Sequence, residues 1–561
     1  MMKQFFRNST AILFRRQTTI ISAATVMMVL VLASRILGLV RNRFLAHFFP
    51  IETLDAYRAA FVIPDFVANV LITGALSVAF IPVFTSYLQN RKENDGWKIA
   101  SSVLNISLGF YLVFTLILVV FAQPLIGKFV APEFSPEKLA LTTNLTRIVL
   151  FSELLLIIGS FFTSVLQSFH RFIIPALAPV LYNIGIIIGI LWLRPFFGLT
   201  GVAMGVVIGA ALHALIQLFL IKKFGFSYKF RFDIKDPGVA KIIKLSLPRA
   251  AGIGLAQAEA WVSVFLANLL GPGSIAVLGF AGDIQNLPIG LFGITFATAS
   301  LPMLSAEWNA GKKEYFKTTF LATMHQVFYL TIPLSILFMV LRVPIVRLIL
   351  GTGYFDWPST VATAVTMSYF AVGIFAQSAF FLLIRAFYAI QDAATPLKVA
   401  ALSLVFHVAI SSFFVFGFAE KFSIPVSFLG LAASLTAIFG FVILLFLLDK
   451  KVGGFDKNKL FLPLVKIVVA AAFMGVILYV PLHIRVGTNY VIDYIIDTTR
   501  VANLLILTGI AFSCGLAVYI WITWLLKSEE LQTFTKLLPD VKRIQKLLDI
   551  QEKIDPGTPG S

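Results

Sequence analysis

Acid is scarce in this chain. Asp and Glu number 27 against 45 Lys and Arg, and charged residues of both signs fill only 13% of 561 positions. A soluble domain carries about 25% charge, so an ordinary water-soluble fold is excluded. The single cysteine, Cys514, cannot form an intrachain disulfide and sits in an apolar run. The six histidines (His47, His170, His213, His325, His407 and His483) are scattered. None falls into a His-Glu-x-x-His or comparable spacing, so no metal and no cofactor is expected. No sizeable polar domain interrupts the apolar runs. No acidic loop motif is placed to hold a metal and a nucleotide, which argues against a membrane-bound glycosyltransferase. A cleavable signal is also missing. The first apolar segment lacks a small-residue cleavage site and runs on into an arginine-bearing stretch, so a retained helix is expected.

What is present is apolar. Hydrophobic residues make up 59% of the chain, with 56 Phe, and the mean hydropathy is +0.92. Runs of about 20 apolar residues or more recur from end to end, long enough to cross a bilayer core of roughly 30 Å. Backbone groups in lipid must be satisfied internally, so these runs predict helices. A barrel would show short alternating segments instead. The expected fold is an all-α polytopic membrane protein with about fourteen transmembrane helices.

The net charge of +18 is no sign of nucleic-acid binding, because the excess lies in short loops between spans. One alternate set of loops is strongly basic. Its segment from 222 to 244 alone carries Lys222, Lys223, Lys229, Arg231, Lys235, Lys241 and Lys244. The other set holds little beyond Lys128, Lys138, Arg194, Lys421, Arg485 and Arg500. The positive-inside rule places the basic side, with both termini, in the cytoplasm, which requires an even number of spans.

The sequence also repeats. "GALSVAFIPVFTSYL" (74–88) resembles "GITFATASLPMLSAEW" (293–308). "HRFIIPALAPVLYNIGIII" (170–188) resembles "QDAATPLKVAALSLVFHVAI" (391–410), each entering a helix at a proline, Pro175 or Pro396. "FGLTGVAMGVVIGAAL" (197–212) resembles "SFLGLAASLTAIFGFV" (427–442). The expected organisation is a segment 1–19, a six-helix half over 20–224, a basic loop at 225–238, a second six-helix half over 239–449, two appended helices over 450–526 and a tail at 527–561. Both halves start on the same side, so the repeats are parallel. Transporters built this way hold substrate between the halves. Segment 1–19 mixes aromatic and basic residues as an interfacial helix would. The tail carries an amphipathic helical pattern before its "DPGTPGS" end.

Ionisable residues inside spans are costly, and each is a functional hypothesis with an expected partner. The stretch "SRILGLVRNRFLAHFF" (34–49) continues an apolar run yet holds Arg35, Arg41 and Arg43. Arg35, Gly38 and Arg41 recur at three-residue steps along one stripe of a helix. Arg43 points elsewhere and is expected to snorkel to the outer interface. For Arg35 and Arg41 the alternatives are a water-filled cavity, or a buried ion pair with Asp55 or Asp65. Guanidinium groups in a cavity suit phosphate or carboxylate oxygens. Glu259, Asp283 and Asn286 are candidates for a cation site or a local polar network. Arg385 and Asp392, at the end of span 10, are candidates for a gate or a turn clamp. Arg342 and Arg347 are expected to snorkel.

These residues carry a family resemblance. "SRILGLVRNRFLAHFF", "DAYRAAFVIPDF" and "GALSVAFIPVFTSYL" are similar to the opening of the MurJ (MviN-type) lipid II flippases. "LAPVLYNIGIIIGI", "GVAMGVVIGA", "LPIGLFGITFATASLPMLS" and "RAFYAIQDAATPLKVA" fit the same family, over roughly residues 20–525. The resemblance implies export of a lipid-linked peptidoglycan precursor across the bacterial inner membrane. It implies that Arg35 and Arg41 line a central cavity and bind the diphosphate, that Asp55, matching a family aspartate opening span 2, is a substrate-binding candidate beside them and Arg58, and that a groove beside spans 13 and 14 takes the lipid tail. Gly38, Pro64, Gly74, Ser77 and Pro82 match framework positions. Two family features are absent. Ala68 and Asn69 replace an arginine pair and Thr73 a glutamate, while Asp283 stands where the family often has arginine. Arg58 is the expected replacement for the lost charge, with Asp283 pairing with a span 1 arginine. The partners implied are lipid II, membrane lipids and, as an open question, a coupling cation or the membrane potential. Alternative readings are a flippase for another polyprenyl-diphosphate-linked glycan and a cation-coupled drug exporter.

Overall fold

The computed structural model describes residues 20–72, 80–89, 93–222, 226–483, 485–486, 489–490 and 500–533. The expectations on Thr73, Gly74 and Ser77, on segment 1–19 and on most of the tail lie outside these residues. The protein is an all-α polytopic membrane protein. Its only strands among the described residues are Arg485–Val486 and Asn489–Tyr490, an antiparallel pair. Ten described helices are long and apolar enough to cross a membrane, or eleven counting the broken pair Trp357–Ala371 and Ile374–Ala389.

The chain divides into two compact units. The first takes in the chain up to Leu287 with Val346–Phe370 and Ala393–Gly440, and the second takes in Pro288–Ile345, Ala371–Asp392 and the chain after Phe441.

The first unit holds α1 (Ile20–Phe48), α2 (Ile51–Leu71), α3 (Phe80–Gln89), α4 (Glu93–Phe129) and α5 (Pro136–Ser168). α6 (Ile173–Ile188) passes through a π turn into α7 (Arg194–Ile221), and the chain reverses within that run at Gly198, whose φ of 56° only glycine adopts freely. α8 (Pro237–Asn268) and α9 (Ser274–Pro288) follow. Small residues set the closest approach. A Cβ on Gly185 would lie 2.2 Å from the Cα of Gly209, and one on Gly205 would lie 2.6 Å from the Cα of Gly189. Gly185 and Gly189, at the end of α6 and the start of the π turn, face Gly205 and Gly209 of α7, so the two backbones touch along one stripe, as small-residue packing in lipid permits. α6 also packs against α1, and α2 against α5. Gly205→Val is therefore expected to lower the detergent unfolding temperature sharply, because the obstacle is backbone that cannot rotate away. Gly417→Ala, at a site with nothing within 4 Å, should leave it unchanged.

The second unit contains α10 (Thr295–Asn309), α11 (Lys313–Val340), α14 (Ile374–Ala389), α17 (Lys457–His483) and α18 (Val501–Leu525), with α12 (Arg342–Leu350), α13 (Trp357–Ala371), α15 (Ala394–Phe418) and α16 (Ser427–Val452) lying between them in the chain. Phe328, Phe375 and Phe441 form one ring cluster. The Tyr519 hydroxyl donates to the Tyr329 carbonyl at 2.9 Å, tying α18 to α11.

The repeats noted in sequence have matching ends. α5 begins at Ser135, whose hydroxyl accepts from Lys138 N–H, and it stops where His170 takes φ 57°. α13 begins at Asp356, whose carboxylate accepts from Ser359 N–H at 2.9 Å, and α14 stops where Gln391 takes φ 60°. Both stops have the same bonds: His170 N–H to Gln167 and Arg171 N–H to Leu166, then Gln391 N–H to Tyr388 and Asp392 N–H to Phe387. This is the Schellman pattern, here without glycine. The start and stop are equally spaced in the two segments.

Candidate functional site

α1 presents the arginines. Arg35 is exposed and forms no hydrogen bond or ion pair among the described residues. Arg41 is half-buried, and its bonds go to neutral acceptors. Nη1 donates to Asn183 Oδ1 at 3.2 Å, while Nε and Nη2 donate to Asn42 Oδ1 at 3.3 and 3.2 Å. Asn183 lies on α6, carried towards α1 by the glycine stripe behind it. Its amide donates to the Ser34 carbonyl and hydroxyl and to the Pro179 carbonyl. The ion pair of Arg41 with Asp55 or Asp65, one of the two alternatives read from sequence, is not made.

Arg58 on α2 donates to Asp283 Oδ2 on α9 at 2.6 Å, and its guanidinium lies 4.9 Å from the centre of the Phe280 ring. Asn42 Nδ2 donates to the same oxygen at 2.9 Å. Asp283 thus pairs with Arg58 rather than with a span 1 arginine, and Asn42 links it to Arg41. Asn42 and Asn183 were passed over in sequence, where each is a lone amide beside or within an apolar run. The signal was that an amide in lipid needs partners as an arginine does.

Asp55 is only 1% exposed. Its carboxylate accepts from Lys138 Nζ at 3.0 Å and from the backbone N–H groups of Gly273 and Ala276 at 2.6 and 2.9 Å. It caps the start of α9 from a neighbouring helix, where a negative charge meets the positive helix end. A cavity of about 620 Å³ opens beside it, lined by Glu52, Glu133, Glu137, Lys138 and Asn268 among others. Neither Arg35 nor Arg41 lines that cavity. Asp65 on α2 and Glu153 on α5 are joined by a side-chain hydrogen bond.

Arg43, expected to snorkel, has protein partners. Its Nη1 donates to the carbonyls of Leu348 and Ile349 at 2.6 and 3.3 Å, the closing carbonyls of α12, where a cation is favoured. His47 Nδ1 meets Thr352 Oγ1 at 2.8 Å, and Tyr354 N–H donates to the His47 carbonyl at 3.1 Å. This end of α1 is therefore bolted to segment 348–354. Arg43→Ala should lower the unfolding temperature in detergent and leave substrate affinity unchanged. Lost affinity with unaltered stability would contradict the bolt.

The other candidates stand apart. Glu259 Oε1 lies 3.7 Å from His407 Nδ1, and His407 is fully buried with Ser263 and Thr436 hydroxyls at 2.8 and 3.2 Å. Asn286 is exposed. No bond joins Glu259, Asp283 and Asn286, and no group of three or more His, Cys, Asp or Glu suited to a metal occurs among the described residues. Asp392 pairs with Lys451, not with Arg385, which is half-buried and makes no bond among the described residues.

The model of the MurJ lipid II flippase family matches residues 45–499. The chain belongs to the MurJ family. It is similar to the probable lipid II flippase MurJ of Thermotoga maritima, 31% identical over 453 residues, covering 79% of this chain and 87% of that one. It is also similar to the protein of the same name from Buchnera aphidicola, 28% identical over 458 residues, covering 81% and 88%. Among solved structures, a lipid II flippase MurJ in an inward closed conformation superposes with a TM-score of 0.73 at 24% identity, covering 89% of this chain and 98% of that one. An inward-facing multidrug MATE transporter of the MOP superfamily superposes at 0.63 with 15% identity, covering 77% and 98%. The family thus shares its fold with multidrug transporters, and the arrangement around Arg41 has to be read on its own residues.

Proposed function

We propose that this chain is a flippase for lipid II, moving the lipid-linked peptidoglycan precursor from the inner to the outer leaflet of the bacterial cytoplasmic membrane by alternating access. One observation carries the reading beyond family membership. Arg41 lies in α1, which we read from its apolar run as a span, with every hydrogen bond to an amide oxygen and none to a carboxylate. A guanidinium so placed is oriented but not neutralised, and its remaining N–H donors suit a phosphate fork. A neutral drug would leave that charge uncompensated. The diphosphate is common to polyprenyl-linked glycans, and lipid II follows from the family. Depleting the protein and measuring lipid II on each leaflet tests the reading. Unchanged outer-leaflet lipid II would reject it.

The same proposal includes about fourteen spans in two parallel halves with two appended helices, both termini cytoplasmic. The equally spaced helix starts and stops support the halves. Cysteines introduced at 226–236 should react only with reagent that crosses the membrane, and labelling from outside would reject the topology. We place the Asp392–Lys451 pair at the cytoplasmic end, where it and Arg385 would contribute to an inner gate. Of the two carboxylates considered for a coupling cation, Glu259 is the one bonded to no Lys or Arg among the described residues.

A further inference from the structure

Asp283 is out of character with its surroundings. Among the described residues it is the one carboxylate bonded to both an arginine and a side-chain amide, and its side chain keeps 32% of its surface exposed. A purely structural carboxylate here would be sealed as Asp55 is, with both oxygens engaged by three donors and 1% exposure. Asp283 uses a single oxygen, Oδ2, to receive Arg58 at 2.6 Å and Asn42 at 2.9 Å. The Asn42 amide is set by this bond. With Nδ2 towards Asp283, its Oδ1 is turned to Arg41. One carboxylate oxygen therefore fixes the donors of Arg58 directly and of Arg41 through one amide.

We propose that Asp283 is a resident counter-anion, holding Arg58 and, through Asn42, Arg41 while the site is empty, and yielding them to a phosphate oxygen of the incoming lipid. The inference rests on the diphosphate reading of the preceding subsection. Its physical content is an exchange. A fixed carboxylate keeps Arg58 from standing unpaired in a low-dielectric span between cycles and, through Asn42, keeps Arg41 oriented. It also competes with the ligand, which weakens binding and speeds release. The transporter gives up affinity to gain a stable empty state, and Arg58, on a different helix from Arg41, becomes the group whose partner changes.

The test uses the full-length protein in nanodiscs with geranylgeranyl diphosphate as probe and the monophosphate as control. Wild type should prefer the diphosphate. Asp283→Asn should bind it about tenfold more tightly, the order expected for releasing one charge-assisted hydrogen bond. Asp283→Glu should stay near wild type. Arg58→Gln should bind about tenfold more weakly, and adding Asp283→Asn to Arg58→Gln should restore nothing. An infrared difference spectrum of wild type labelled with ¹³C-aspartate should show a carboxylate band shift on adding the diphosphate, whether or not the asparagine variant folds. Asp283→Asn binding equal to or weaker than wild type, or no band shift, overturns the counter-anion while leaving the diphosphate reading intact. Equal affinity of wild type for monophosphate and diphosphate overturns both.

Discussion

Arg41→Ala is expected to abolish lipid II transport with the protein still at near-normal level in the membrane. The bonds lost are those to Asn42 and Asn183, and both acceptors are amide oxygens. Each such bond contributes about 1.5–3 kcal/mol when one partner is charged, and removing the arginine strands no buried counter-charge. Asn183 keeps its ties to Ser34 and Pro179, so the α1–α6 contact survives. Substrate loses a full cation, and truncating one side of a buried charge contact costs about 2–5 kcal/mol, or roughly thirty- to several-thousand-fold. Arg35→Ala sharpens the comparison, because Arg35 makes no bond that its removal could break. Any transport loss there reads function without a stability term. Complementation of a depleted strain, with leaflet-resolved lipid II as readout, separates the outcomes. Normal export by either variant would remove that residue from the substrate path.

Asp55→Ala should fail for a different reason. The sequence places Asp55 among substrate-binding candidates, whereas the structure fills its carboxylate with Lys138 and two backbone N–H groups. Truncation leaves a lysine unpaired beside a buried helix start, and breaking a buried pair from one side costs about 3–5 kcal/mol. The expected result is a steep loss of folded protein. The fraction that does fold should still bind the diphosphate. Adding Lys138→Met to Asp55→Ala should recover part of the stability, since the stranded charge is gone. A double variant no better than the single would show that the two N–H bonds, not the ion pair, carry Asp55.

Much of this protein was legible in one dimension. Membrane class follows from apolar runs that no soluble core needs. The helix entries at Pro175 and Pro396 are local signals, readable because helix starts and stops depend on neighbours a few residues away. The cost of arginine in lipid singled out Arg35 and Arg41 before any contact was known. The positive φ at His170 and Gln391 was not legible, since neither residue type announces it.

Sequence by itself determined where helices run, which face of the first helix carries cations, and that those cations need partners. Only the tertiary structure decided what the partners are. Arg58 meets Asp283 across more than two hundred residues of chain, Arg43 caps one helix end, and Asp55 caps another. Those choices depend on which helices the glycine stripe and the capped turns bring side by side. A charge buried in lipid takes whichever partner the packing supplies, and separation along the chain says nothing about which one that is.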